Sequence, residues 1–192
     1  MEPILHHGAP QGCAFGTIVA LEWLCRPYRL LRQEFSTPQG PMLQVGGKLM
    51  NDCRAILRYL ATQRRHLLGY RAGTAEAEQL EKLLDYLHEE FQSGEARMVL
   101  ACARLDKVLA ESEWLDGRKR TVADASLVAI IRWAVAHAGL QLAAFPSLER
   151  HVRALQGDPA VFFADAIETQ RPAVSSGRFR GHLTPNALPL AA

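Results

Sequence analysis

The chain has few cysteines, four in 192 residues, and none of them forms a C-x-x-C pair or stands at metal-ligand spacing from a histidine. That pattern offers neither a zinc site nor a contiguous dithiol motif. The tandem His6 and His7 alone do not make a metal site. No uncharged apolar run reaches the roughly 18 residues a membrane-spanning helix needs, so no membrane partner is expected. The N-terminus lacks the basic stretch, apolar core and small-residue cleavage site of a secretory signal. A cytoplasmic protein with reduced thiols is the expectation. Net charge is only +2. The arginine clusters at 64–66 and 118–120 have no aromatic residues between them, which argues against a nucleic-acid partner.

What is present is an ordinary globular composition, 48% hydrophobic and 22% charged, in a chain long enough to bury roughly 70% of its unfolded surface. The first third mixes strands and helices. PILHH reads as a strand, and CAFGTIVALEWLC as a helix with Phe15, Val19 and Trp23 on one stripe, closed by Pro27. YRLLRQEF reads as a second strand. MLQV and GKLM, separated by Gly46 and Gly47, read as a hairpin. NDCRAILRYLATQRRHLL is helical, with Asn51 or Asp52 as N-cap and Ile56, Leu57, Leu60 and Leu67 as its apolar set.

GYRAGT, residues 69–74, marks a boundary, because everything after it reads helical. AEAEQLEKLLDYLHEEFQ, with Leu80, Leu83, Leu84 and Leu87, and EARMVLACARLDKVLAE, with Val99, Leu105, Val108 and Leu109, should form an antiparallel helical hairpin. TVADASLVAIIRWAVAHAG opens on a capping box of Thr121 and Asp124 and is apolar enough to be a central buried helix. FPSLERHVRALQG and PAVFFADAIE are shorter helices that start at prolines. The expected division is 1–70, 74–170 and a flexible tail at 171–192, where Pro, Gly and Ser follow no period.

Four local patterns are similar to one family. GCAFGTIVALEWLCRPYRL resembles the first helix and second strand of the glutathione S-transferase superfamily, most closely its bacterial beta class. GPML resembles that family's V-P-x-L, whose proline is cis. DCRAILRYLA resembles its E-S-x-x-I-x-x-Y-L-A helix, and WLDGRKRTVADASL followed by RWA resembles its W-x-x-G-x-x-x-T-x-A-D-x-x-L segment. The likeness runs from residue 3 to residue 168. It implies a thioredoxin-like α/β domain followed by an all-helical one, a homodimer, and glutathione as substrate together with a small apolar electrophile.

Carried over residue by residue, the resemblance makes Cys13 the catalytic cysteine and puts His7 near the strand-one position from which an imidazole can serve the thiolate. Gly40 and Pro41 would hold the cysteinyl backbone of glutathione, Asp52 and Cys53 its γ-glutamyl end, and Trp133 would line the electrophile pocket. Each residue also has a plain structural reading. Cys13 can be a packed core thiol, for free cysteine is among the most buried residue types, or a thiolate favoured by the amides and dipole of a helix N-terminus. His7 can be a satisfied strand histidine, Asp52 and Cys53 an N-cap and a small buried residue, and Trp133 core.

The sequence also departs from the family. Ala14 follows the cysteine where beta-class members often have serine, and the GAPQG loop is longer. The helix and loop between the second strand and GPML shrink to about STPQ. Gln92 and Ser93 stand where a polar pair would reach glutathione across the dimer. Those losses leave a second reading open, a transferase-fold binding or scaffold protein that has lost the glutathione site.

Overall fold

The computed structural model describes residues 2–8, 13–33 and 40–184. The expected loop at 9–12, the 36–39 remnant and the end of the tail at 185–192 lie outside the described residues. The first part runs β1 (Ile4–His7), α1 (Ala14–Leu24), β2 (Pro27–Arg32), β3 (Met42–Val45), β4 (Lys48–Met50) and α2 (Cys53–Ala61). β2 pairs parallel to β1, with Leu30 opposite Leu5, and β3 pairs antiparallel to β1, with Leu43 opposite Leu5. All three leucines are fully buried and share one core with Phe15 and Ile18 of α1. The hairpin forms at Gly46 and Gly47, both with positive φ (57° and 79°), as a tight β3–β4 turn requires.

The second part is helical: α4 (Ala75–Gln92), α5 (Glu95–Glu111), α6 (Val122–His137), a 3-10 turn at Leu142–Ala144, α7 (Pro146–Gln156) and α8 (Pro159–Glu168). Between the two parts lies the single distorted turn α3 (Gln63–His66). α4 and α5 form the expected hairpin through Ser93 and Gly94. α6 is capped as predicted: the Thr121 amide donates to Asp124 Oδ2 at 2.8 Å, and Thr121 Oγ1 accepts from the Ala123 amide. Asp124 Oδ1 also accepts from the Leu115 amide, which fastens the preceding loop to the same carboxylate.

Several expectations need correction. α1 is buried at all eleven positions rather than along one stripe, because α6 and α8 pack on it as well as the sheet core. Leu67 is 44% exposed and Leu68 takes the buried place. Arg64, Arg65 and His66 adopt positive φ, which ends the helical register before Leu67. On α5, Val99 and Val108 face outward. The buried stripe is Met98, Ala101, Cys102, Leu105 and Leu109, a regular helical spacing that leaves those two valines on the opposite side.

The largest correction concerns the tail. Residues 178–183 form β5 (Arg178–Leu183), parallel to β2 at the sheet edge, giving the order β4-β3-β1-β2-β5. Its anchor is Glu22 on α1, 1% exposed, which accepts from Tyr28 Oη, from Ser175 Oγ at 2.8 Å, from Ser176 Oγ at 3.1 Å and from the Gly177 amide at 2.6 Å. Gly177 lies so close that a Cβ would stand 2.8 Å from Glu22 O. The serines and glycine that suggested mobility are the donors and the close approach that the buried carboxylate demands.

Candidate active site

α1 begins at Ala14 with Cys13 as its N-cap residue, and α2 begins at Cys53 with Asp52 as its N-cap. The two helix starts converge. Cys53 Sγ lies 3.9 Å from the Cys13 carbonyl oxygen, to which it donates. Asp52 spends its carboxylate on the cap, accepting from the Arg54 and Ala55 amides at 3.3 and 3.1 Å. Gly40 is exposed at the end of the strand connection, with Asn51 O its nearest neighbour at the Cβ position, so it adjoins the same helix start. Pro41 is buried. The Gly40–Pro41 bond is trans, not the cis bond the resemblance implies. Trans is the lower isomer of an X–Pro bond by about 0.5–1 kcal/mol, and exposed Gly40 imposes no packing that would invert that preference.

Cys13 and Cys53 open onto a cleft of about 640 Å³ between α1, α2, α4, α5 and α6. Its walls are mainly apolar, with Leu57, Leu84, Phe91, Met98 and Ile130 prominent. Trp133, 41% exposed, lines the cleft with its ring tilted against that of His137, so it is a cleft residue rather than core. Gln92 also lines the cleft, while Ser93 is the C-cap of α4. What brings α1 and α6 together is Gly16: a Cβ there would meet Ala125 O at 2.6 Å. Any side chain at that position would force the helices apart.

The electrostatics distinguish the thiols. The Cys13 thiol is pulled down to about 7, chiefly by the hydrogen bond from Cys53, against burial and the Asp52 carboxylate, which oppose it. Cys53 is pushed well above the ordinary thiol value, first by that same hydrogen bond and then by burial. Cys13 is therefore the thiol that ionises first, and Cys53 keeps its proton while Cys13 is a thiolate. Cys102, by contrast, is fully buried and raised to about 11 by desolvation, as expected for an inert core thiol. No group of three or more potential metal ligands occurs among the described residues.

His7 does not line this cleft. It is 8% exposed, its ring lies 6.3 Å from that of His182 on β5, and its pKa falls to about 4 through burial, His182 and Arg32 in that order. It is neutral at physiological pH and lies toward the β5 edge of the sheet.

No protein-family model and no curated protein matches the sequence. Solved structures do resemble it. A Xylella fastidiosa glutathione S-transferase is 21% identical over 88% of this chain and 99% of its own, with a TM-score of 0.75. A sphingomonad glutathione S-transferase complexed with glutathione is 22% identical over 86% and 98%, TM-score 0.74. A beta-class enzyme from Sphingomonas chungbukensis is 24% identical over 86% and 98%, TM-score 0.73. The chain has the glutathione transferase fold.

Within the glutathione transferase fold, the thioredoxin-like part supplies Cys13, Cys53 and Leu57 to the cleft, with Asp52 and Gly40 outside its lining, and the helical part supplies Trp133 and most of the apolar wall. Arg54 and His88 also line the cleft and were missed by reading the sequence. Arg54 directly follows Cys53, and Nη1 of its guanidinium lies 3.3 Å from Asp85 on α4. His88 sits one helical turn from Gln92, with Nδ1 3.3 Å from Gln92 Nε2. Their signal was available: both fall at cleft-facing positions next to residues already singled out. No helix among the described residues is long and apolar enough to cross a membrane.

Proposed function

We propose that the protein is a glutathione transferase of beta-class type, conjugating or exchanging glutathione with small apolar electrophiles. The observation that carries this reading is the Cys13 thiol, lowered to about 7 at the mouth of an apolar cleft. Glutathione would lie along the start of α2, with the Gly40–Pro41 edge toward its cysteinyl backbone and Asp52, Cys53 and Arg54 toward its charged ends. Arg54 and Gln92 offer donors to carboxylates. Cys13 would either hold the glutathione thiol as thiolate or exchange with it through a mixed disulfide. His7, near the strand-one position, would act on that site only at a distance. The electrophile would pack against Trp133 and the α4–α6 wall. Residues 1–70 would then be the glutathione-binding domain and 74–170 the electrophile-binding one. The protein would work as a cytoplasmic homodimer, with the exposed Val99 and Leu100 of α5 as apolar surface such pairing would cover.

A second reading, a binding or scaffold protein without turnover, is favoured by one observation: the Asp52 carboxylate is engaged in capping α2 and does not line the cleft. Retention on immobilised glutathione, reversed by free glutathione, together with conjugation of an activated chloronitroarene, is the result expected of the enzyme. Passage through the column at low salt with no conjugation would leave the second reading in its place.

A further inference from the structure

We propose that Cys13 and Cys53 form a reversible disulfide, and that the protein acts through this pair as a dithiol–disulfide oxidoreductase on small organic disulfides. Cys13 is the attacking sulfur and Cys53 the resolving one. This activity needs no glutathione conjugation and stands on a separate observation: two cysteines, 40 residues apart in sequence, that meet in one cleft.

The other two cysteines serve as controls within the same molecule. Cys102 is fully enclosed. Cys25 closes the opposite end of α1, its Sγ directed to Glu22 O at 3.4 Å. Only Cys13 and Cys53 line the cleft. Cys13 is exposed and Cys53 half-buried behind it, so an incoming disulfide meets Cys13 first. The apolar wall beside them suits the organic portion of such a substrate.

The chemistry balances over two displacements. The Cys13 thiolate attacks one sulfur of RS–SR′; the S–S bond breaks, its electron pair leaves with R′S⁻, and solvent protonates it to R′SH. Cys13 is now bonded to RS and carries no charge. What most holds the proton on Cys53, the adjacent Cys13 thiolate, is then gone. Cys53 loses its proton to solvent and attacks Cys13 Sγ. RS⁻ departs and is protonated to RSH. Counted from the Cys13 thiolate, the protein has given up two electrons and one proton, solvent has supplied the second proton, and the disulfide has become two thiols. A monothiol or dithiol reductant, acting by the reverse displacements, resets the pair.

The ordering matters because a resolving thiol that ionised early would compete with Cys13 for substrate. Here the shared proton keeps Cys53 silent until Cys13 has reacted, which gives a sequence of events without a C-x-x-C turn.

The test uses the full chain and hydroxyethyl disulfide, a substrate without any part of glutathione, so failure of this proposal is distinguishable from failure of glutathione binding. Native protein is reacted, quenched in acid, alkylated and digested at glutamate, which separates Cys13 from Cys25 at Glu22. The expected result is loss of two of four free thiols, a Cys13–Cys53 cross-linked peptide, and recovery of both thiols with dithiothreitol. Cys53→Ser should instead stop as a stable hydroxyethylthio adduct on Cys13, and Cys13→Ser should not react. Wild-type protein that accumulates the Cys13 adduct without cross-linking, or that links other cysteines, overturns the proposal. That outcome is read on the unaltered chain and does not depend on the variants folding.

Discussion

Tyr28 Oη donates to Glu22 Oε1 across 2.6 Å, and the two residues stand on consecutive elements, the end of α1 and the start of β2. Burial and the neighbouring carboxylate together push the phenol far above its ordinary range, so it remains a donor at any working pH. The same carboxylate takes Ser175, Ser176 and the Gly177 amide, and thereby ties the last strand to the first helix. Each donor removed from a buried carboxylate costs stability, because the charge is then less fully compensated.

Replacing Glu22 by alanine should leave the buried Tyr28 hydroxyl without its acceptor and take from Ser175, Ser176 and Gly177, which are half-buried or exposed, the carboxylate that holds them to α1. The expected cost is about 1.5–3 kcal/mol, the range for a lost hydrogen bond to a charged group that leaves a buried donor unsatisfied. β5 should detach, and trypsin should cut after Arg178 and Arg180 in the variant under conditions where wild type resists. Tyr28→Phe removes one donor of four and should cost about 1–3 kcal/mol with β5 still protected. Equal protease resistance in wild type and Glu22→Ala would mean that the strand is held by its ladder with β2 alone.

The reactivity of Cys13 should follow its thiolate fraction. Alkylation of native protein by iodoacetamide should rise with pH through a midpoint near 7, set by the hydrogen bond from Cys53. In Cys53→Ala the support from the Cys53 thiol is gone while burial and Asp52 still oppose ionisation. The midpoint should therefore move up by about one unit or more, slowing alkylation at pH 7 by roughly fivefold or more. Peptide mapping assigns the modified residue, and an unchanged midpoint would give the lowering to the helix terminus instead.

Much of this arrangement was legible in the sequence, and the reason differs from residue to residue. Asp52 and Thr121 were readable because capping is local: donor and acceptor lie within three residues. Cys13 was readable as a helix-start thiol for the same reason. Its partner was not, since the convergence of the α1 and α2 starts depends on how both helices pack, and no spacing rule links residues 40 apart. Leu67 and Leu68 were exchanged because three consecutive left-handed residues broke the period that the apolar pattern assumed. β5 was illegible for a further reason. Its strand exists by pairing with β2 and by the grip of Glu22, and neither partner is near it in sequence.

His7 makes stability depend on pH. Its folded pKa, about 4, lies below the value of about 6.5 expected in the unfolded chain, so between these two values the unfolded state binds more protons. Stability is complete above pH 6.5 and falls as pH drops toward 4, by about 3 kcal/mol for this residue. His182, lowered by burial and Arg32, adds to the loss in the same direction. Urea unfolding at pH 7 and pH 4.5 should show a smaller difference for His7→Asn than for wild type. An equal difference in both would assign the acid sensitivity to other groups.

The closest approach at the site is made by Gly16, and it links the helical packing to the thiol. A methyl group there would stand 2.6 Å from Ala125 O and 3.3 Å from Ala129 Cβ. The first of these is backbone, which cannot rotate away, so Gly16→Ala must separate α1 from α6. Overpacking of this kind costs about 1–3 kcal/mol, against which the better helix propensity of alanine returns about 1 kcal/mol. A net loss and a fall in Tm of a few degrees are expected, since about 1 kcal/mol corresponds to roughly 2–4 °C in a chain of this size. Because Cys13 lies one turn before Gly16 on the same helix, the displacement should also loosen its hydrogen bond with Cys53 and raise the alkylation midpoint. Ala129→Gly relieves only the side-chain contact and should not restore either property. If Gly16→Ala lowers Tm but leaves the Cys13 midpoint at about 7, the thiol pair is positioned by α2 and not by the α1–α6 contact.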